Sequence, residues 1–266
     1  MTAPMQPSAP RRVRVGARPV LERGLMVSRR SWLVVLSGFF EPLFYLLAMG
    51  YGLGGLVGEV TGAQGRPISY AAYIAPALLA TSAMNGAVFD STWNVFFKLR
   101  FARLYEAMLQ TALGPVDVAL GEILMALMRG LLYAMGFMAV AASLGLVTSW
   151  WALGMIPVAL LIAFGFAALG MAATSYAKSF QQMDIVGFAV LPMFLFSSTL
   201  YPVEVFPEVV QWVVKALPLW HGIELMRQLA VGAVSWASAG HTAYFLAMSA
   251  LGIWLTARRL RALFLR

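Results

Sequence analysis

The 266-residue chain is 61% hydrophobic and only 11% charged, whereas a soluble domain has roughly a quarter of its residues charged and under half apolar. Continuous apolar runs long enough to cross a hydrocarbon core about 30 Å thick predict an all-α polytopic membrane protein rather than a barrel of alternating strands. The absence of cysteine excludes disulfides, thiolate metal sites and cysteine nucleophiles.

The chain is predicted to begin with a disordered basic tail at 1–18 and an interfacial helix at 19–30, which lies along the membrane surface. Between the fifth and sixth spans, the segment 202–232 is too polar and proline-broken for a span, yet too apolar for a plain loop. Its marker residues are Pro202, Pro207, Pro218 and His221. The six predicted spans are 31–56, 70–96, 118–146, 151–175, 184–201 and 238–258.

The basic residues set the predicted orientation. Seven arginines precede the first span, and further Lys and Arg residues follow spans two, four and six, whereas the opposite loops carry few. Both termini are therefore expected in the cytoplasm. The net charge of +8 is attributed to topology and to contact with the lipid bilayer, not to nucleic acid.

The stretch 99–113 interrupts the apolar pattern with a short two-faced helix. Arg100, Arg103 and Glu106 follow one another at three-residue steps, and Tyr105 belongs to the other face. Two interpretations fit this pattern: a loop helix at the lipid headgroups, or a docking element that presents charge to a cytoplasmic partner.

Four ionisable residues lie in or near the predicted spans, where such groups are functional candidates. Glu41 and Arg129 each lie about nine residues inside a cytoplasmic end, at a depth of roughly 13 Å, so an ion pair between spans one and three is expected. Structural stabilisation is its favoured role, ahead of a proton relay or a substrate contact. Asp90 and Glu122 fall near the cytoplasmic ends and are expected to contact the two-faced helix or its partner.

The other motifs predict neither a nucleotide-binding site nor a catalytic site. Gly50–Gly55 matches the dinucleotide pattern G-x-G-x-x-G, but a membrane span precedes it instead of a strand. No P-loop sequence occurs, so ATP is not expected to bind this chain through one. His221 and His241 lack zinc-protease spacing and a convincing serine partner, and neither a catalytic residue nor a metal site is predicted.

Several strings, taken together and in order, resemble the permease subunits of type-2 ABC exporters. The similar branch contains the nodulation lipo-oligosaccharide exporter permease and related drug-resistance permeases. The strings are EPLFYLLAMGYGLG, YIAPALLATSAMNGAVFDSTWNVF, RLYEAMLQTALGPVDVALGE, LGMAATSYAKSFQQMD, LPMFLFSSTLYPVEVFP and LPLWHGIELMR.

The resemblance implies one permease domain at 19–266 with a connecting helix at 19–30 and a coupling helix at 99–113 seated in an ATPase groove. Re-entrant external helices would occupy 202–232. It also implies a second permease copy, identical or related, and two separate ATPase subunits that carry ATP and Mg²⁺, in a bacterial cytoplasmic membrane. The function expected is ATP-driven export of an amphipathic, hydrophobic or lipid-linked glycan substrate.

Two other function classes remain open from sequence. An ion-coupled secondary transporter would use Glu41 and Arg129 as a relay, although paired half-repeats with broken helices are not evident. A membrane-embedded enzyme would use Glu41, Asp90 or His221 as acid or base, but no constellation of residues supports it.

Overall fold

The computed structural model describes residues 16–30, 40–62, 65–147 and 149–264. Most of the predicted tail at 1–18 and the first part of the first predicted span, 31–39, lie outside the described residues.

The described chain is mostly helical, with one short antiparallel hairpin of strands in which Val60 pairs with Ile68. A 3-10 turn opens α6 at Trp150–Gly154, and another, Val203–Val205, precedes α8. In chain order the elements are α1 (Arg18–Arg30), α2 (Phe40–Val57), β1 (Glu59–Thr61), β2 (Pro67–Ser69), α3 (Tyr70–Arg100), α4 (Leu104–Leu109), α5 (Pro115–Ser143), α6 (Trp150–Tyr176), α7 (Phe180–Phe196), α8 (Glu208–Ala216), α9 (Pro218–Val231) and α10 (Trp236–Phe264).

Four helices, α2, α3, α5 and α6, are long and apolar enough to cross a bilayer. The chain is therefore a multi-pass membrane protein. The fifth and sixth predicted spans fall on α7, which is apolar but has 17 residues, and on α10, which has 29 residues. Polar Ser238, His241 and Thr242 lie in the first turns of α10, and arginines lie in its last turns.

Helix α6 lies at the centre of the bundle and packs against α3, α5 and α10. Small residues on α6 allow these neighbours to approach closely, as is common between membrane helices. At Gly252 on α10, an added Cβ would lie 2.5 Å from the carbonyl carbon of Ala168. A side chain at this position would therefore force α6 and α10 apart.

Helix α3 contains a π-helical stretch, Asp90–Asn94, in its second half. The wider turn leaves backbone carbonyls to be satisfied by side chains. Thr174 on α6 donates its hydroxyl hydrogen to the Ser91 carbonyl at 2.9 Å, and Thr92 donates to the Val88 carbonyl at 2.6 Å. The distortion is thus fixed by packing against α6, and it buries Asp90 at a place where the sequence pattern gave no warning of a bulge.

The single helix predicted at 99–113 is not what forms. Helix α3 runs on to Arg100, the chain turns at 101–103, and a separate six-residue helix, α4, begins at Leu104. Arg103 adopts a left-handed backbone conformation, with φ of +45°, which an α-helix does not tolerate. Arg100, Arg103 and Glu106 therefore do not share one helix face.

Candidate functional site

A cavity with a mostly apolar lining that also contains polar and charged side chains opens among α2, α3, α5 and α7. It comprises two volumes of about 190 and 470 Å³ that share five lining residues. The shared residues are Glu41, Ser82, Asn85, Gly187 and Val190. Helices far apart in the sequence, from α2 to α7, thus converge on one cavity, which no single string of residues predicts.

The two volumes differ in chemistry. The smaller one is lined mainly by apolar and aromatic side chains, including Tyr45, Leu78 and Phe194. The larger one adds the charged Asp90 and Arg129 to its lining. The combined cavity therefore has an apolar part and a charged part joined at Glu41, a shape and polarity that match an amphiphile.

The expected Glu41–Arg129 ion pair is wrong: Arg129 pairs with Asp90 instead. The guanidinium donates to the Asp90 carboxylate at 2.7 Å, and the Asp90 side chain is 9% exposed. The long Arg129 side chain reaches from α5 to the π-helical stretch, where Asp90 is turned into the bundle. Depth alone, from which the Glu41 pairing was inferred, does not specify a partner.

A second ion pair lies close to the first. Lys98 on α3 donates to Glu122 on α5 at 2.6 Å. A small cavity of about 100 Å³ borders both pairs and is closed on one side by α1 residues, including Arg23. Helix α1 itself packs tightly on α5, since an added Cβ at Gly121 would lie 2.4 Å from Val20. Helix α1 and the two ion pairs thus form one contiguous polar layer.

Helix α4 divides its predicted docking residues between two environments. Arg103 and Glu106 are exposed, whereas Tyr105 is 2% exposed and packs into the core. Arg100 does not belong to α4, because it ends α3 and donates to the Ala177 carbonyl at 3.0 Å. Of the four residues, Glu106 on α4 and Arg103 in the turn that immediately precedes α4 present charge at the protein surface beside this helix.

Tyr105 connects α4 to the polar layer. Burial raises the pKa of the Tyr105 hydroxyl well above its usual value, and the negative charge of Glu122 raises it further. The hydroxyl oxygen is buried and has no hydrogen-bond partner among the described residues, so Glu122 lies near it without good hydrogen-bond geometry. Tyr105 therefore anchors α4 by packing, and any movement of α4 acts on the neighbourhood of Glu122.

The prolines predicted to mark the segment 202–232 each begin a helical turn. Pro202 and Pro207 precede the Val203–Val205 turn and α8, and Pro218 is the first residue of α9. This placement follows from the fixed φ of proline and its missing N–H, which a first turn does not need.

Arg227 on α9 forms a cluster that sequence reasoning missed. Its guanidinium is buried, lies 3.8 Å from the centre of the Tyr73 ring, and donates to the Ser198 carbonyl at 2.6 Å. Tyr70 donates to the nearby Leu200 carbonyl at 3.1 Å. These contacts tie the turn after α7 to α3 and α9. From the sequence alone, Arg227 is an arginine in an apparent loop, with no sign that it is buried.

Two histidines meet between α9 and α10. The Nδ1 atoms of His221 and His241 lie 2.8 Å apart, and the His221 ring stacks on Tyr244. One ring must donate and the other accept, so the contact requires that at least one histidine is neutral. The sequence treats these residues as unrelated interfacial groups, because twenty positions separate them.

Comparison with known proteins agrees with this architecture. The model of the family described as ABC-2 type transporter matches residues 18–231. The chain belongs to the ABC-2 type transporter family. The match runs from the first residue of α1 to the last of α9, so it includes every residue that lines the two cavity volumes.

Curated relatives of this ABC-2 permease carry the name Nodulation protein J. The protein from Rhizobium leguminosarum bv. trifolii is 37% identical over 216 residues, which cover 80% of each chain. The protein from Rhizobium meliloti is 35% identical over 200 residues, or 74% of each chain, and that from Bradyrhizobium diazoefficiens is 31% identical over 210 residues, or 78% of each. The resemblance inferred from the sequence strings is confirmed.

The histidine pair of this permease predicts a pH-dependent stability. Burial, and then the positive charge of protonated His241, lower the pKa of His221. Because the folded pKa lies below the unfolded value of about 6.5, the unfolded chain binds the proton first as the pH falls. The contribution of His221 to folding stability is therefore fully present above the unfolded pKa and is lost as the pH falls below it. We expect the midpoint temperature of thermal unfolding to decrease as the pH is lowered from about 7.5 to about 5.

The matched variant for this prediction is His221→Phe, which keeps a ring against Tyr244 but removes one titrating group. Its unfolding midpoint should decrease less over the same pH interval. Equal slopes for the two proteins would show that the histidine pair does not contribute to acid sensitivity.

Proposed function

We propose that the chain is the transmembrane permease of an ATP-driven exporter, with ATP hydrolysis on separate subunits. The observation that carries this proposal is the cavity with joined apolar and charged parts inside a multi-pass ABC-2 permease. An amphipathic, hydrophobic or lipid-linked glycan substrate would place its tail near Phe194 and Leu78 and its polar head near Glu41. The resemblance of the sequence strings to the nodulation lipo-oligosaccharide exporter permease favours a lipid-linked glycan among these substrates.

We infer a six-span topology with both termini in the cytoplasm of a bacterial inner membrane. Helices α7 and α10 would be the fifth and sixth spans, and α1 would lie at the cytoplasmic surface. Support for this orientation comes from the arginines before the first span and after the last. The segment that contains α8 and α9 would then cap the external exit.

The complete exporter would contain two permease copies, identical or related, and two ATPase subunits that hold ATP and Mg²⁺. Exposed apolar side chains on α2 and α7, such as Phe44 and Phe188, would face lipid or the second copy. Helix α4 would contact the ATPase through Arg103 and Glu106. Support for a force-transmitting role of α4 is its anchoring by Tyr105 beside the polar layer that borders the cavity.

The alternative of an ion-coupled secondary transporter depended on a relay between Glu41 and Arg129. Arg129 is engaged by Asp90 at 2.7 Å, so this relay has lost its second member. The export proposal is therefore preferred.

The proposal is tested by co-expressing the chain with a candidate ABC ATPase from the same genome and purifying the tagged permease. We expect the ATPase to co-purify with the permease. Inside-out vesicles should accumulate a fluorescently labelled acyl glycoside only when ATP is supplied. A variant ATPase that lacks its catalytic glutamate is the control and should give no accumulation. Accumulation driven by a proton gradient without the ATPase would reject the proposal.

A further inference from the structure

Glu41 is the one charged residue lining the cavity that has no partner of opposite charge among the described residues. Its side chain is exposed to both cavity volumes. Arg129, the one basic residue in the cavity lining, pairs with Asp90 at 2.7 Å. Lys98, outside the lining, pairs with Glu122 at 2.6 Å. No salt bridge within the described chain is left to neutralise Glu41.

The lining of the larger volume therefore has an excess of negative charge, since it contains two carboxylates, Glu41 and Asp90, and one guanidinium, Arg129. An isolated carboxylate inside a membrane costs several kcal/mol and is normally paired or placed in a water-filled cavity. A ligand that enters such a cavity displaces this water, and the carboxylate then needs a new partner. An anionic ligand group would make the imbalance worse.

We propose that Glu41 recognises a positively charged amine on the head group of the exported amphiphile. Ser82 and Asn85 lie three residues apart on α3, on the face that borders both volumes with Glu41. Their hydroxyl and amide supply further polar contacts to the head group. The recognised group is an ammonium, whether on an amino sugar or on a simple alkyl chain, since both present the same N–H donors and charge to a carboxylate.

The position of Glu41 also sets the orientation of the ligand. Tyr45 lies one helical turn after Glu41 on α2 and, with Leu78 and Phe194, lines the apolar volume. A head group held at Glu41 would therefore direct its acyl or alkyl chain along these residues. This inference depends on the proposed export function for its biological meaning, but its test requires neither ATP nor the ATPase.

The test uses the natural absence of cysteine. A Ser82→Cys variant of the full chain, in nanodiscs of neutral phosphatidylcholine, carries a single thiol in the cavity. We measure the rate at which N-ethylmaleimide labels this thiol in the presence of paired probes. The probes are dodecyl glucosaminide and its N-acetylated form, and dodecylamine and dodecyl sulfonate.

We expect each amine probe to protect the thiol of the Ser82→Cys variant at a lower concentration than its neutral or anionic counterpart does. The difference should be at least about tenfold, as a charge-assisted hydrogen bond to a carboxylate would give. Protection by both amine probes would identify the ammonium alone as sufficient. Protection by the glucosaminide alone would identify an amino sugar. Glu41→Gln in the same background should abolish the preference, and Glu41→Asp should retain it.

A cysteine at exposed Glu59 on the hairpin is the control for changes in lipid partitioning, and no probe should alter its labelling. Equal protection by amine and non-amine probes, no protection by any probe, or an unchanged preference in Glu41→Gln would each overturn the inference. These outcomes leave ATPase co-purification and ATP-dependent accumulation unaffected, so failure of the head-group inference is distinguishable from failure of the export function.

Discussion

Replacing Arg129 with methionine is expected to destabilise the protein more than replacing Arg129 and Asp90 together. The single change leaves the Asp90 carboxylate, 9% exposed, buried without its partner. Breaking a buried pair from one side typically costs about 3–5 kcal/mol, whereas replacing both members with uncharged groups can be nearly neutral. Methionine retains much of the apolar length of arginine and leaves no large cavity.

The measurement is a double-mutant cycle in detergent with Arg129→Met, Asp90→Asn and the combined variant, followed by thermal unfolding. We expect the two changes to be strongly non-additive, since residues in direct contact couple by roughly 0.5–3 kcal/mol. Glu41→Gln combined with Arg129→Met is the matched control and should be additive. A larger coupling for Glu41 than for Asp90 would contradict the observed pairing and restore the one expected from sequence.

The choice of partner for Arg129 illustrates what the sequence could and could not predict. The sequence identified all four ionisable residues, Glu41, Asp90, Glu122 and Arg129, from their position in apolar surroundings. It could not decide which carboxylate Arg129 meets, because the π-helical stretch at 90–94 rotates Asp90 into the bundle. A periodic pattern assumes a regular 3.6-residue turn and cannot register such a local change of pitch.

The break at 101–103 was missed for a related reason. Alternation of charged and apolar residues in 99–113 fits a continuous helix, and none of the residues between Leu99 and Leu113 is a glycine or a proline. Yet Arg103 adopts a left-handed conformation that favours glycine. The tertiary contacts that hold α3 and α4, such as the Arg100 bond to the Ala177 carbonyl, are between residues far apart in sequence and override the local preference.

The Arg227 cluster and the histidine pair show the same limit. Arg227 and Ser198 are 29 residues apart, and His221 and His241 are 20 apart, so nothing in a local window suggests that they meet. In contrast, the start of α5 follows local rules. Pro115 opens the helix after the N-cap Gly114, and Asp117, three residues after Gly114, accepts the Gly114 N–H at 3.0 Å. Caps and prolines act within four residues, which is the distance over which sequence is informative.

Charge reversal at the exposed face of α4 is expected to disconnect the permease from its ATPase. Glu106→Lys and Arg103→Glu would each place mismatched charge at the interface, and close charge pairs across interfaces couple by about 1.5–7 kcal/mol. We therefore expect at least about a tenfold loss of ATPase co-purification or of substrate-stimulated hydrolysis. Expression and membrane insertion should be unchanged, because both side chains are exposed and have no partner within the described chain.

The two interpretations of α4 make opposite predictions for Glu106→Lys. If α4 only rests on anionic lipid, an added lysine strengthens that contact by about 1 kcal/mol and leaves ATPase assembly intact. The matched control is Glu59→Lys, which makes the same change on the exposed hairpin and should not affect assembly.

Variants of Tyr105 distinguish the docking of α4 to the ATPase from the anchoring of α4 to the permease. Because its ring is buried within the chain, Tyr105→Ala should lower thermal stability by about 3–5 kcal/mol, as other large-to-small aromatic changes do, and reduce docking only through the loosened helix. Tyr105→Phe should preserve both, since the hydroxyl has no hydrogen-bond partner in the described chain. Full assembly and transport by Glu106→Lys would reject the docking role, and α4 would then be a surface loop anchored by the buried Tyr105.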